Sequence, residues 1–169
     1  KEIYRQAREQ GFFLGVKLVR GAYLEKERDW ARQKKLSSCV FDTKHATDVA
    51  FDEALEYCFD NLDMSYIFVG THNEESSRKF YYLTQQLPKE LQARAVISQL
   101  YGMGDHLSYV LAQKGVSVCK YIPYGPVEYT IPYLLRRVEE NRSILGETVR
   151  EVKLLTKEYR RRKTLKVQG

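Results

Sequence analysis

Phe12 to Val19, Tyr66 to Val69, Ala95 to Ser98 and Val118 to Ile122 are four short runs of β-branched, aromatic and leucine residues, with helix-spaced stretches between them. Each is mostly apolar without clean alternation, the pattern of strands covered on both faces. Thr47 and Asp48 can cap a helix whose Phe51, Ala54, Leu55 and Cys58 fall on one side. Asn73 can cap a second, running through Phe80 to Gln86 ahead of Pro88, and Gly104-Asp105 opens a third. In that third helix Leu107, Val110 and Leu111 point inward, and Gly115 closes it. Ile3, Tyr4 and Ala7 read as the last turns of a helix stopped at Gly11. Strands separated by helices pair in parallel, because parallel neighbours need crossover connections. A doubly wound sheet and a barrel both meet that requirement.

The placement of unusual residues favours the barrel. Arg20-Gly21-Ala22-Tyr23, Thr71-His72-Asn73, Gln99 to Gly104 and Tyr121 to Gly125 all sit at or just after the carboxyl end of a strand, where barrel enzymes build their sites. The expected fold class is therefore α/β, a (β/α)8 TIM-like barrel. A whole barrel needs roughly 250 residues, so 169 residues supply about its carboxyl-terminal half. Residues 1–145 make that half-barrel, and 146–169 a basic, helical tail.

No run of eighteen apolar residues is present to cross a membrane. Cys39, Cys58 and Cys119 are odd in number and lack metal-ligand spacing, so buried free thiols are expected. The net charge of +6 comes entirely from the tail: eight basic residues follow from Arg150, against Glu151 and Glu158. Such an end meets nucleic acid, anionic lipid or only water. The tyrosines fall in apolar helix and strand patterns instead of on a basic face, which speaks against a nucleic-acid stacking platform. The chain opens at Lys1, as a piece from the middle of a longer protein would.

Chemistry concentrates at the strand ends. Val16-Lys17-Leu18-Val19-Arg20 is expected to place two cations on one strand face before Gly21-Ala22 drops its side chains, so that a flat ligand can approach the backbone. Their partner is either an anionic ligand or carboxylates of neighbouring strands. Gln99-Leu100-Tyr101-Gly102-Met103-Gly104 carries only G-M-G, which excludes the G-x-G-x-x-G dinucleotide turn. Further on, Tyr133, Arg136, Arg137 and Glu140 fall at i, i+3, i+4 and i+7 and so share one side of a helix. Two fork-shaped guanidinium donors suit a small carboxylate. An ordinary Arg136–Glu140 surface pair fits the same spacing.

Taken in order, K-L-V-R-G-A-Y, T-H-N, Q-L-Y-G-M-G, Y-x-P-x-G and Y-L-x-R-R-x-x-E-N resemble the proline dehydrogenase family, in its eukaryotic, mitochondrial form, from about residue 12 to 141. The resemblance implies FAD as cofactor. Lys17, Arg20, Gly21, Ala22 and Tyr23 would lie along the flavin, Lys44 and Thr47 near its diphosphate and adenosine, and Thr71, His72, Asn73 and Gln99 against it. Lys17 stands where many members have arginine, and Arg20 where they have lysine. Leu100 and Tyr121 would wall the substrate, with Tyr133, Arg136, Arg137 and Glu140 overhead.

The implied reaction is oxidation of L-proline to 1-pyrroline-5-carboxylate, with hydride passing to flavin and electrons to membrane quinone. It implies a mitochondrial location on the matrix side of the inner membrane, with the basic tail against lipid. Members that prefer hydroxyproline tend to carry a small hydroxyl residue where this chain has Tyr121, which makes proline the expected substrate. The alternatives are a hydroxyproline dehydrogenase and an inactive barrel fragment that acts as a binding or regulatory module.

Overall fold

The computed structural model describes residues 1–21, 23–142 and 145–167; the side chains of 138–151 and 165–167 fall outside the description. Two compact units result, Lys1–Ile122 and Pro123–Gly169. In the first, helix α1 (Glu2–Gln10) precedes strand β1 (Leu14–Leu18) and helices α2 (Leu24–Lys34) and α3 (Lys44–Asp60). Strand β2 (Ser65–Gly70), helix α4 (Glu74–Gln85) and the single turn α5 (Lys89–Gln92) follow. Strand β3 (Ala95–Leu100), helix α6 (Asp105–Gln113) and strand β4 (Val118–Tyr121) complete the unit. All four strands are parallel and lie in chain order, β1-β2-β3-β4. That is an α/β fold with a sequentially wound parallel sheet, one segment of a barrel wall.

The core lies on one side of the sheet. Val16 is level with Ile67, Ile67 with Ala95, and Ile97 with Val118. This row packs against Phe51, Leu55 and Phe59 of α3, Phe80 of α4 and Leu111 of α6. Phe59 and Phe80 meet edge to face at 5.4 Å. Phe80 is wholly buried, and that ring's burial stabilises the packing of α4 by about 1.5–3 kcal/mol.

The opposite side is open. Lys17, Tyr66 and Tyr121 are exposed there, with Phe68, Val96 and Leu100 half-buried between them. The expectation of strands covered on both faces holds here for the helix side only: the apolar residues of this second face are present, but among the described residues of this unit no layer lies on them.

Other details also differ from the sequence reading. Helix α3 starts four residues earlier than expected, because Thr43 is the cap and its hydroxyl accepts from the Ala46 amide at 3.1 Å. Thr47 and Asp48 lie inside the helix, where the Thr47 hydroxyl donates to the Thr43 carbonyl. In α6 the buried residues are Ser108 and Leu111, whereas Val110 points outward. Cys58 is buried, but Cys39 and Cys119 are exposed; all three are free thiols. Asn73 does cap α4, its side-chain oxygen accepting from the Ser76 amide, and Gly11 ends α1 at φ 73°.

The second unit consists of helices α7 (Val127–Arg142) and α8 (Leu145–Val167). Pro132 is accommodated inside α7.

Candidate functional site

The strand carboxyl ends carry two distinct sets of side chains, separated by the parity of the strands. Lys17 and Arg20 are three residues apart, and strand neighbours alternate faces, so the expectation that both cations share a face is overturned. Lys17 stands on the open side, its ammonium 5.9 Å from the ring centres of both Phe68 and Tyr121. Arg20 turns to the helix side and stacks on the Phe51 ring at 3.8 Å.

On the open face, Gly15 leaves free space where a Cβ would stand. A Cβ on Gly70 would lie 3.0 Å from the Val19 side chain, so any other residue there would push Val19 away from β2. The result is a floor of Phe68, Val19, Leu100 and Tyr121 carrying one ammonium. A flat, largely apolar ring system with polar edges fits that floor, and flavin is such a group. Gly21, at φ 78° and with open space beside it, offers backbone at the same rim. Ala22 lies outside the described residues. Tyr23 takes a left-handed conformation at φ 58° as the residue before α2, its ring exposed and met by Lys26.

The helix side is a continuous set of polar contacts. The Arg20 guanidinium donates to Asp48 and Ser76, and to the Thr71 hydroxyl at 3.3 Å. The Ser76 hydroxyl in turn donates a hydrogen bond to the Asp52 carboxylate at 2.7 Å. The Thr71 hydroxyl also accepts from the Asn73 amide, which fixes the turn containing His72. Gln99, fully buried, donates to the Thr71 carbonyl at 3.3 Å and accepts from Ser108 at 2.7 Å. Lys120 donates to the Met103 carbonyl and pairs with Asp105, both at 2.6 Å. Burial alone would raise the Asp48 carboxyl, but Lys44, 2.6 Å away, and Arg20 outweigh it and hold it below the usual range.

The turns after β2 and β3 touch. Gly104, at φ 61°, sits so close that an added Cβ would lie 3.2 Å from both the Gln99 side chain and His72 Nδ1. The T-H-N and G-M-G sequences are thus packed against one another, and glycine is what permits it.

In the second unit, helix α7 holds Tyr133, Arg136 and Arg137 at the expected spacing. The Arg137 guanidinium lies 5.1 Å from the Tyr133 ring centre. Arg136 is exposed, while Tyr133 and Arg137 are half-buried. The side chain of Glu140 lies outside the described residues.

Sequence reading missed Asp48, Asp52, Ser76 and Lys120 as partners. A signal existed for two of them: Asp48 and Asp52 share the stripe of Phe51 and Leu55. Carboxylates on an apolar helix face call for a buried cation or donor. Among the described residues no cluster could hold a metal ion.

The sequence profile of the family described as proline dehydrogenase matches residues 1–150. The chain belongs to that family. It is 44% identical over 163 residues to the carbapenem antibiotics biosynthesis protein CarD of Pectobacterium carotovorum subsp. carotovorum, a match spanning 95% of this chain and 41% of that protein. The hydroxyproline dehydrogenase of Bos taurus is 41% identical over 156 residues, 90% of this chain and 34% of the relative. Proline dehydrogenase 1, mitochondrial, of Drosophila melanogaster is 36% identical over 168 residues, 93% of this chain and 25% of the relative. The chain thus spans less than half the length of each of these relatives. Among solved structures, the proline utilization A protein of Bdellovibrio bacteriovorus, inactivated by N-propargylglycine, superposes with a TM-score of 0.74 at 25% identity, over 83% of this chain and 14% of that one. Its likeness agrees with the sequential parallel sheet seen here.

Proposed function

We propose that this chain supplies flavin- and substrate-binding parts of an enzyme that oxidises L-proline to 1-pyrroline-5-carboxylate. The observation that carries this reading is the open face of the sheet: one ammonium between two aromatic rings, over glycines that expose backbone. Lys17, Gly21 and the T-H-N turn would hold FAD, and Lys44, at the amino end of α3, suits its diphosphate. FAD, when bound, accepts the hydride from the ring carbon beside nitrogen. The protein's own part is orientation and charge. Arg136 and Arg137 grip the substrate carboxylate by a two-point contact, with the Tyr133 ring 5.1 Å from the Arg137 guanidinium beside it. No residue need act as the base for the substrate amine, since water serves.

Arg137→Met tests the carboxylate grip. Removing one partner of a desolvated charge contact costs about 2–5 kcal/mol, so KM for proline rises roughly 30-fold or more. A change smaller than about threefold refutes the grip.

Relatives named for hydroxyproline match this chain at 41% identity, which favours a second reading, hydroxyproline oxidation. Tyr121 speaks for proline under the first reading, because a tyrosine at this position, beside the Lys17 ammonium, would fill the room an added ring hydroxyl needs.

The electron acceptor under this reading is membrane quinone; the name of the Drosophila relative suggests a mitochondrial location, and the matrix side of the inner membrane is what the family resemblance implies. Among the described residues no helix is long and apolar enough to cross a membrane. On α8, Val152, Leu155 and Tyr159 are exposed along one side, with Lys153, Lys157, Arg160 and Lys163 around them. That pattern suits peripheral contact with anionic lipid. Loss of residues 150–169 should abolish sedimentation with anionic vesicles; unchanged sedimentation removes the tail from the account.

A further inference from the structure

We propose that Arg20 is a positioning residue for the Thr71-His72-Asn73 turn, acting through Asp48, Ser76 and Thr71, and makes no contact with flavin itself. The resemblance places this cation beside the flavin, yet its guanidinium faces the helix layer. Its two terminal nitrogens are already engaged: one by Asp48, the other by Ser76 and the Thr71 hydroxyl. The group is flat against Phe51, its side chain is only 16% exposed, and Nε is buried. Both terminal nitrogens are thus committed to the helix side, and the buried Nε alone has no hydrogen-bond partner among the described residues.

What Arg20 does hold is the turn. Thr71 is the residue that connects β2 to that turn, and its hydroxyl receives both Arg20 and the amide of Asn73. Ser76 lies in the first turn of α4, capped by Asn73, so the second nitrogen of Arg20 fixes the helix start as well. Asp48 and Asp52, one turn apart on α3, anchor the other ends of these contacts. His72 is thereby clamped between two fixed residues, at the height where Gly104 packs against it. A lysine in this place would bring a single nitrogen to the site and could not serve Asp48, Ser76 and Thr71 from one plane. In this chain the fork therefore takes over a wider task than a point charge could.

This inference rests on the flavin reading only for its consequence, so its test is run first without flavin. Amide hydrogen exchange is compared in the whole chain and in Arg20→Met. Exchange across residues 71–77 should quicken about tenfold or more, with β3 and α6 unchanged. Equal protection of 71–77 in the two proteins would overturn the proposal, as would a uniform quickening through every strand, which marks a merely structural role. Should Arg20→Met fail to fold, Arg20→Lys keeps a charge beside Asp48 but loses the fork, and the same local quickening is expected; none would again overturn it.

The second arm adds FAD to wild type, Arg20→Met, Asp48→Asn and the double variant. If Arg20 acts through the network, the double variant binds FAD no more weakly than Arg20→Met. If Arg20 touches FAD, the two losses multiply and the proposal falls. Absence of FAD binding in wild type would count against the proposed function alone and leave the exchange result standing.

Discussion

Gly104 offers a sharp test of how the rim is built, because a second glycine two residues away supplies its control. Both Gly102 and Gly104 have positive φ, 77° and 61°. An added methyl group meets nothing within 4 Å at Gly102, but at Gly104 it lies 3.2 Å from the Gln99 side chain and from His72 Nδ1. The left-handed backbone alone costs an alanine about 1–2 kcal/mol. At Gly104 the methyl must also displace Gln99, which is fully buried and hydrogen-bonded at both ends to Thr71 and Ser108. Crowding a packed site in this way costs about 1–3 kcal/mol more. Gly102→Ala should therefore lose about 1–2 kcal/mol in urea unfolding, and Gly104→Ala about 2–5 kcal/mol. The difference between the two variants is the informative quantity, since the backbone penalty largely cancels. Equal losses would mean that the T-H-N and G-M-G turns are not in contact, and the account of the rim would fail.

Two further outcomes follow from named contacts. Tyr121→Ser should raise kcat/KM for hydroxyproline relative to proline by clearing space over the open face; an unchanged ratio takes Tyr121 out of the specificity argument. Tyr4 is pushed up to about 12, first by burial, which outweighs the opposing hydrogen bond with Ser65. Its phenol is neutral in both states below pH 10. Above that the unfolded chain ionises first, so stability is lost as pH rises toward 12, by at most about 2–3 kcal/mol. Urea unfolding at rising pH should show this loss in wild type and not in Tyr4→Phe, and parallel curves would refute it.

The sequence made the parallel sheet legible because its signals are local: apolar runs of strand length, the Asn73 cap and the glycine stops. The positions of Tyr133, Arg136 and Arg137 on one helix were equally readable from spacing. What escaped was the direction of side chains past a strand's end. Arg20 was assigned to the face of Lys17, although a separation of three residues puts them on opposite faces. The cap of α3 was misplaced because Asp48 resembles a cap in type, while its carboxylate is taken by Arg20 and Lys44. Such choices are decided by partners distant in sequence, as with Gln99 and Thr71, and no single-strand pattern carries them.

Anaerobic titration with L-proline of the whole FAD-loaded enzyme to which this chain contributes, followed by the visible flavin band, bears most directly on the central claim. The band should bleach as proline is added, and Arg137→Met should need far more proline to reach the same bleaching. An enzyme that holds FAD yet keeps its full colour at saturating proline would contradict the account.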